Sequence, residues 1–289
     1  MDFNFWTWRW PKGFLALVFG AGLVLTLSAS PVISKLPPLQ VHPLPMALAE
    51  WKDAKNSGDY FDQVKRVPVG YLVWSQFPIS VYIQPLTPEE SANPFTAKRS
   101  KDWIKAVSAA VQEWNPYLPL KIVNQSQAAD ITVWRSPPPL RLEPASTGQA
   151  GAIRESRPTL SLGRARSAET RFEFYAQPLP ADSHPGATQQ DVNQTPPPAP
   201  LPPSASLLAQ RFTIHLRPDQ APSYLQASAR HELGHALGIW GHSPLETDVM
   251  YFSQVRNPPA ISPRDLNTLK KVYEQPTRLG WRCPTQACG

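Results

Sequence analysis

From about residue 70 onward, the hydrophobic residues of this chain follow the two spacings that distinguish strands from helices. Short runs rich in β-branched and aromatic residues predict strands, at residues 71–74, 79–83, 120–123, 130–134 and 211–216. Residues 148–163 and 171–176 are expected to add a strand or two, including the edge strand of the sheet. Apolar residues three and four positions apart predict an amphipathic helix over residues 98–114, with a stripe of Trp103, Val107, Ala110, Val111 and Trp114. Asn115-Pro116 ends this helix.

Two further helices are predicted in the C-terminal third of the chain. The first begins near Pro222, which is tolerated in a first turn, with Asp219 or Ser223 as its N-cap. The second opens at Ser262-Pro263-Arg264-Asp265 and continues to Tyr273. Proline at its first position and an acidic residue in its first turn both favour a helix start.

The first of these helices carries the residues from which a chemistry can be predicted. His231 and His235 are four residues apart, so their imidazoles lie on one helix face and can reach one metal ion. Glu232 can take a proton from a water on that ion. Gly238 can adopt left-handed dihedrals, and the resulting bend can return His242 as a third ligand. Three protein ligands and one water are typical of catalytic zinc, so the sequence predicts a zinc hydrolase with Zn²⁺ as cofactor.

These residues resemble a known family. The segments His231-Glu232-Leu233-Gly234-His235-Ala236-Leu237-Gly238, His242-Ser243 and Val249-Met250-Tyr251 resemble the metzincin metalloproteases, and within them the matrixins. The family places its third histidine three residues after the glycine, whereas His242 follows Gly238 by four. A loop longer by one residue, with Gly241 giving it slack, accounts for the difference.

The resemblance implies an α+β fold: a twisted, mostly parallel sheet with two long helices, an active-site helix, a methionine-containing turn and a C-terminal helix. It implies that Glu232 is the general base of a zinc endopeptidase and that Met250 packs beneath the imidazoles. Residues 251–256 would form one wall of the pocket for the residue after the scissile bond. A protein or peptide substrate would lie extended along the edge strand.

Three alternatives stay open. In a gluzincin, a downstream glutamate completes the ligand set, and Glu246 and Glu274 are the two downstream glutamates. A membrane-anchored zinc-binding scaffold would bind the ion without hydrolysis, although such a site has no need of a base at Glu232. A cell-wall peptide amidase would share the metal chemistry and differ only in its substrate. His215 is expected to be an ordinary strand residue, because no partner at metal-binding spacing accompanies it.

The N-terminal residues predict export from the cytosol. Residues 14–30 are almost wholly apolar and follow Arg9 and Lys12, as in a signal peptide or a single membrane anchor. We therefore assign residues 1–30 to such a segment, and the remainder to a periplasmic, extracellular or membrane-anchored location. Although the net charge is +6, the Lys and Arg residues are scattered, so a nucleic-acid partner is not expected. A monomer is expected.

The 289 residues suit one sizeable domain with appendages, and the 35 prolines indicate long extended or irregular stretches. A Pro-rich, then charged, linker is predicted over residues 31–67 and the catalytic domain over residues 68–280. Within that domain, residues 177–206 are a low-complexity Pro-rich insertion. The tail, residues 281–289, holds the two cysteines of the chain, Cys283 and Cys288, which could pair in an oxidising compartment.

Overall fold

The computed structural model describes residues 36–139, 142–144, 160–162, 166–179, 206–283 and 288. The predicted signal or anchor over residues 1–30 and most of the predicted insertion over residues 177–206 lie outside these residues. Among the helices that are described, none has both the length and the apolar character needed to cross a membrane.

Seven strands are described: β1 (Ile79–Ile83), β2 (Leu120–Val123), β3 (Ile131–Trp134), β4 (Leu142–Pro144), β5 (Leu160–Leu162), β6 (Ala168–Pro178) and β7 (Ser206–Leu216). Five of them form one sheet in the order β2-β1-β3-β7-β6. All neighbours in this sheet are parallel except β6, which runs antiparallel to β7 with Phe172 opposite Phe212. The predicted edge strand is therefore β6, and β4 and β5 form a separate antiparallel pair.

Five helices accompany the sheet: α1 (Met46–Glu50), α2 (Pro88–Ser91), α3 (Pro94–Trp114), α4 (Pro222–Ala236) and α5 (Pro263–Tyr273). The predicted stripe of α3 is buried, and α3 packs against α4. The Trp114 indole N–H donates to the carbonyl of Arg230, 2.9 Å away, and fixes the two helices to each other. The mixed α/β architecture with a mostly parallel sheet agrees with the prediction at this coarse level.

The start of α3 lies four residues earlier than predicted because Asn93 caps it. The side-chain oxygen of Asn93 accepts from the N–H groups of Phe95 and Thr96, and Pro94 occupies the first position. The expected cap of α4, Asp219 or Ser223, is absent. Ala221 precedes α4 without a side-chain cap, since Asp219 pairs with Arg217 instead. The predicted start of α5 is confirmed.

The prediction of a strand at residues 71–74 is wrong. Leu72, Val73 and Trp74 are buried there, but no neighbouring strand pairs with them in the described part of the chain. Their backbone and side chains instead pack at the end of α4, where the Trp74 indole donates to the carbonyl of Ala236 at 2.8 Å. Tyr273 of α5 donates to the next carbonyl, that of Leu237, at 3.1 Å. The hydrophobic run therefore satisfies the last turn of a helix rather than extending a sheet.

The prediction of a linker over residues 31–67 is also wrong, because its described residues, 36–67, are part of the domain. Leu48, Tyr60 and Val64 are buried in the same core as the sheet and the helices. The Tyr60 hydroxyl donates to Asp265 at 2.5 Å, and Gln40 pairs with Thr277 through two backbone hydrogen bonds. Prolines keep this segment extended, and its apolar residues can then cover α5.

Cys283 and Cys288 form a disulfide. Cys288 is buried, and the N–H of Cys283 donates to the carbonyl of Ser206 at 2.8 Å. The end of the chain is thereby fixed to the start of β7.

Candidate metal centre

The three predicted histidines converge. The possible ligand nitrogens of His231, His235 and His242 all lie within 4.8 Å of one another. His231 and His235 are placed by α4, one turn apart, and are partly buried and buried, whereas His242 is exposed. A metal held by these three nitrogens would therefore be accessible from one side.

The return of His242 depends on the bend at Gly238. Gly238 has φ +127°, a conformation that residues with a side chain rarely adopt. A Cβ at this position would also lie 2.7 Å from the carbonyl oxygen of Leu72. The chain leaves α4 here, and the N–H of Ile239 donates back to the carbonyl of Gly234 at 3.0 Å. The bend predicted from the sequence is confirmed.

The loop between Gly238 and His242 packs against residues 63–65. A Cβ on Gly241 would overlap the backbone carbonyl of Gln63. The N–H of Lys65 donates to the carbonyl of Trp240 at 2.9 Å. Gly241 therefore permits a close backbone approach, and Gln63 and Lys65 support the loop that carries His242.

Hydrogen bonds orient two of the imidazoles. Nδ1 of His231 lies 2.8 Å from the carbonyl oxygen of Val249, and Nδ1 of His235 lies 2.8 Å from that of Ile239. Because a carbonyl can only accept, each Nδ1 carries the proton, which leaves Nε2 as the nitrogen available to a metal. The His242 ring stacks against His231 with a centroid separation of 5.3 Å and lies edge-on to His235 at 4.9 Å.

The surroundings keep all three imidazoles neutral, which is the form that binds metals. Burial lowers the pKa of His231, and a hydrogen bond to Val249 opposes this effect. Burial and the neighbouring histidines hold the pKa of His235 well below its usual value. Partial desolvation within the cluster, His231 and Lys65 lower the pKa of His242 to about 4.

Glu232 lies beside the cluster and bonds to the edge strand. The Thr170 hydroxyl of β6 donates to Oε2 of Glu232 at 2.6 Å. Burial raises the pKa of Glu232 to about 7, although the hydrogen bond from Thr170 works in the opposite direction. A carboxyl group with a pKa near neutrality suits both acceptance and return of a proton.

Met250 is buried against α4, the helix that carries His231 and His235. It is fully buried, and a Cβ on Gly234 would overlap its sulfur, so Gly234 leaves room for it against α4. The N–H of Ser243 donates to the carbonyl of Met250 at 2.8 Å, which links this turn to the residue after His242.

Two buried carboxylates fix the turn around Met250 to the start of α5. Asp248 accepts from the hydroxyls of Ser243 and Ser262 and from the guanidinium of Arg264, at 2.5, 2.7 and 3.0 Å. Asp265 accepts from the N–H groups of Val249 and Met250 at 3.0 and 3.4 Å. Since the carbonyl of Val249 also accepts from His231, Asp265 positions this histidine through one intermediate residue.

The cluster lies in an open cleft of about 870 Å³. Residues of β6 and of α4 line it, among them Thr170 and Ser228. Of the predicted wall over residues 251–256, Tyr251 to Val255 line the cleft, and Arg256 accepts a hydrogen bond through its carbonyl from Tyr224 at 3.3 Å.

The remaining candidate ligands lie elsewhere. Neither Glu246 nor Glu274 belongs to the metal-binding group that the described residues form. His215 bonds to the hydroxyl of Ser136 at 2.9 Å, in agreement with an ordinary strand role. Sequence reasoning missed Thr170, Asp248 and the structural role of Asp265, because hydroxyls and single carboxylates carry no motif of their own.

The donor set fits a divalent transition metal. Three neutral imidazoles with a free nitrogen each are suitable ligands for zinc, and also for cobalt or nickel.

Neither the protein-family models nor the curated proteins contain a match to this chain.

Proposed function

We propose that this protein is a zinc-dependent endopeptidase of the metzincin type, similar to the matrixins, that hydrolyses protein or peptide substrates. The observation that carries the proposal is the convergence of His231, His235 and His242 in an open cleft, with Glu232 beside them. A structural zinc site is closed by four protein ligands, whereas a catalytic site keeps one position for water or substrate. The buried Met250 and the antiparallel edge strand β6 support the metzincin assignment.

Zinc bound to the three histidines would polarise the scissile carbonyl and lower the pKa of its water to about 7. Glu232 accepts the proton of the attacking water and delivers it to the leaving amine. Thr170 holds the carboxylate of Glu232 in place during these transfers. His231 and His235 keep their orientation through the carbonyls of Val249 and Ile239.

Substrate would bind along β6. Within the sheet, β6 pairs with β7 alone among the described strands, and Ala168 and Thr170 line the cleft at the end of β6. An extended peptide can add to this edge by backbone hydrogen bonds. Its side chain after the scissile bond would then enter the space between α4 and residues 251–255.

We place this activity outside the cytosol. The proposal rests on the apolar residues 14–30 and the preceding Arg9 and Lys12. The disulfide between Cys283 and Cys288 supports it, since disulfides persist mainly in oxidising compartments.

The test combines metal content with proteolysis of a casein-like unfolded protein. Glu232→Gln is expected to retain stoichiometric zinc and to lose cleavage by at least about 100-fold, because the general base is removed. His242→Ala is expected to lose both zinc and cleavage. His215→Ala is the matched control, since this histidine lies outside the cluster, and it is expected to retain both.

Each contrary outcome points to a different alternative. Full cleavage by Glu232→Gln would refute the assigned base. Bound zinc without cleavage of any of a broad set of peptides would favour the scaffold. Cleavage of cell-wall peptide fragments but not of the unfolded protein would favour the amidase.

A further inference from the structure

The carboxylates of the cleft are buried, whereas its exposed charged residues are cations. The carboxylates that line it, Glu169, Glu232 and Asp248, are all buried. The exposed charged residues among its described lining are Lys65 and Arg166, and both are cations. A substrate entering the cleft therefore meets positive charge at the surface.

Lys65 is the better placed of the two cations to contact a substrate. Its side chain is exposed and forms no ion pair with any residue that the structure describes. Arg166, in contrast, lies 3.8 Å from the carboxylate of Glu169.

The backbone around Lys65 is fixed. Its N–H donates to the carbonyl of Trp240, the preceding residue Val64 is buried, and Gln63 lies directly against Gly241. The backbone of Lys65 is thus fixed directly after the buried Val64, in a segment that borders His242. A flexible ammonium group on a rigid base can reach a substrate without ordering of the chain that carries it.

We propose that Lys65 selects substrates that carry an acidic side chain on the His242 side of the cleft. The inference rests on the proposed peptide-binding function and names the substrate class of that site. Lys65 precedes every described strand of the sheet, whereas Glu232 and the three histidines follow them. Recognition and catalysis would therefore come from different parts of the chain.

The expected preference is modest, because the pair stays in contact with solvent. Exposed ion pairs contribute about 0.2–1 kcal/mol, so a single Glu in place of Gln in a peptide is expected to tighten binding by up to about fivefold. The preference is expected to decrease at high salt, where screening shortens the range of the interaction.

The test measures binding rather than turnover. Short peptides that differ only by Glu or Gln, with the substitution moved through each position in turn, are titrated against the full-length Glu232→Gln protein, with and without zinc. Fluorescence anisotropy reports the affinity. At one or two adjacent positions, the Glu peptide is expected to bind more tightly in both metal states, which separates the effect of Lys65 from that of the zinc charge.

Variants of Lys65 assign the preference. Lys65→Gln is expected to abolish it, Lys65→Glu to reverse it and Lys65→Arg to retain it. Lys101→Gln is the matched control, because it removes the same charge from an exposed position of α3 outside the cleft, and it is expected to retain the preference.

Equal binding of Glu and Gln peptides at every position, including no binding at all, would overturn the inference. So would a preference that persists in Lys65→Gln. Cleavage is assayed separately with the unsubstituted protein, so an acidic preference without hydrolysis would refute the proposed enzyme and leave the assignment of Lys65 standing.

Discussion

The helices α4 and α5 are connected through the turn around Met250, yet the polar residues at their starts and in their interiors have different surroundings. At the start of α5, Ser262 and Asp265 form a reciprocal capping box. The start of α4 has no side-chain cap, since Ala221 precedes it. The buried Asp265 has several hydrogen-bond donors around it, whereas the Oε2 of Glu232 in α4 has the hydroxyl of Thr170.

This difference indicates where stability and chemistry reside. In α5, burial raises the pKa of Asp265, but hydrogen bonds from Tyr60, Ser262 and Val249 oppose this shift and satisfy the buried carboxyl group. In α4, burial lowers the pKa values of His231 and His235 and raises that of Glu232, so each shift favours the neutral form. Burying these ionisable groups therefore costs free energy of folding. The turn around Met250 connects the two helices, because Asp265 holds Val249 and Val249 orients His231.

The largest effect is expected from removing the carboxylate of α5. Asp265→Ala leaves four donors without their acceptor: the Tyr60 hydroxyl and the N–H groups of Val249, Met250 and Ser262. Because these groups are buried or partly buried, the free energy of unfolding is expected to fall by roughly 3–5 kcal/mol. Urea denaturation of the metal-free protein measures the change.

Asp102→Ala on the exposed face of α3 is the matched control. Asp102 pairs with Lys98 at the surface, so its loss is expected to change the free energy of unfolding by about 0.5 kcal/mol or less. If Asp265→Ala lost less than about 1 kcal/mol, the contrast drawn between α5 and α4 would fail.

A smaller change, this time an increase in the free energy of unfolding, is expected from Glu232→Gln in the metal-free protein. The pKa of its carboxyl group rises from 4.5 to about 7 on folding, mainly through burial. Between these values the folded protein binds more protons than the unfolded chain, so the contribution of this group is present below pH 4.5 and is lost as pH rises through 7. Glu232→Gln is therefore expected to raise the free energy of unfolding above pH 7 by about 1–3 kcal/mol.

The gain should disappear as pH falls towards 4.5, where the carboxyl group is protonated in both states. Denaturation curves of the two proteins at a series of pH values, in the presence of a chelator, measure the difference. Glu246→Gln changes an exposed glutamate and serves as the control. A gain that is the same at every pH would mean that ionisation of Glu232 is not its source.

The sequence was sufficient for the regular parts of the fold. Runs rich in β-branched and aromatic residues identified β1, β2, β3 and the second half of β7, and the Ser262-Pro263 start identified α5. The hydrophobic run at residues 71–74 has the composition of a strand, but its position at the end of α4 is set by tertiary packing, which composition does not encode. Residues 36–67 were mistaken for a linker because prolines occur both in linkers and in extended segments packed on a core.

The candidate site likewise contains some residues that the sequence identifies and others that only the fold brings into contact. His231, Glu232, His235 and His242 were identified because helix periodicity and one glycine bend bring them together. Their supporting groups come from distant segments and have no spacing to reveal them. Thr170 is 62 residues from Glu232, and Gln63 is far from Gly241 in sequence, so only the fold shows that each pair is in contact.

The smallest effect, and the one most specific to α4, is expected from Thr170→Val. Valine keeps the shape of threonine but cannot donate to Glu232, so the carboxylate loses the hydrogen bond that orients it. The proposed proton transfers should slow, with kcat lower by about tenfold and KM nearly unchanged, because the substrate-binding edge of β6 is retained. Since the bond from Thr170 lowers the pKa of Glu232, its loss should also move the acid limb of the kcat/KM profile to higher pH.

Thr170→Ser restores a hydroxyl and should recover both parameters, which a purely structural role would not require. If Thr170→Val lowered the unfolding free energy by several kcal/mol, or if serine gave no recovery, the edge strand would contribute to the fold of this region and not to the orientation of the base.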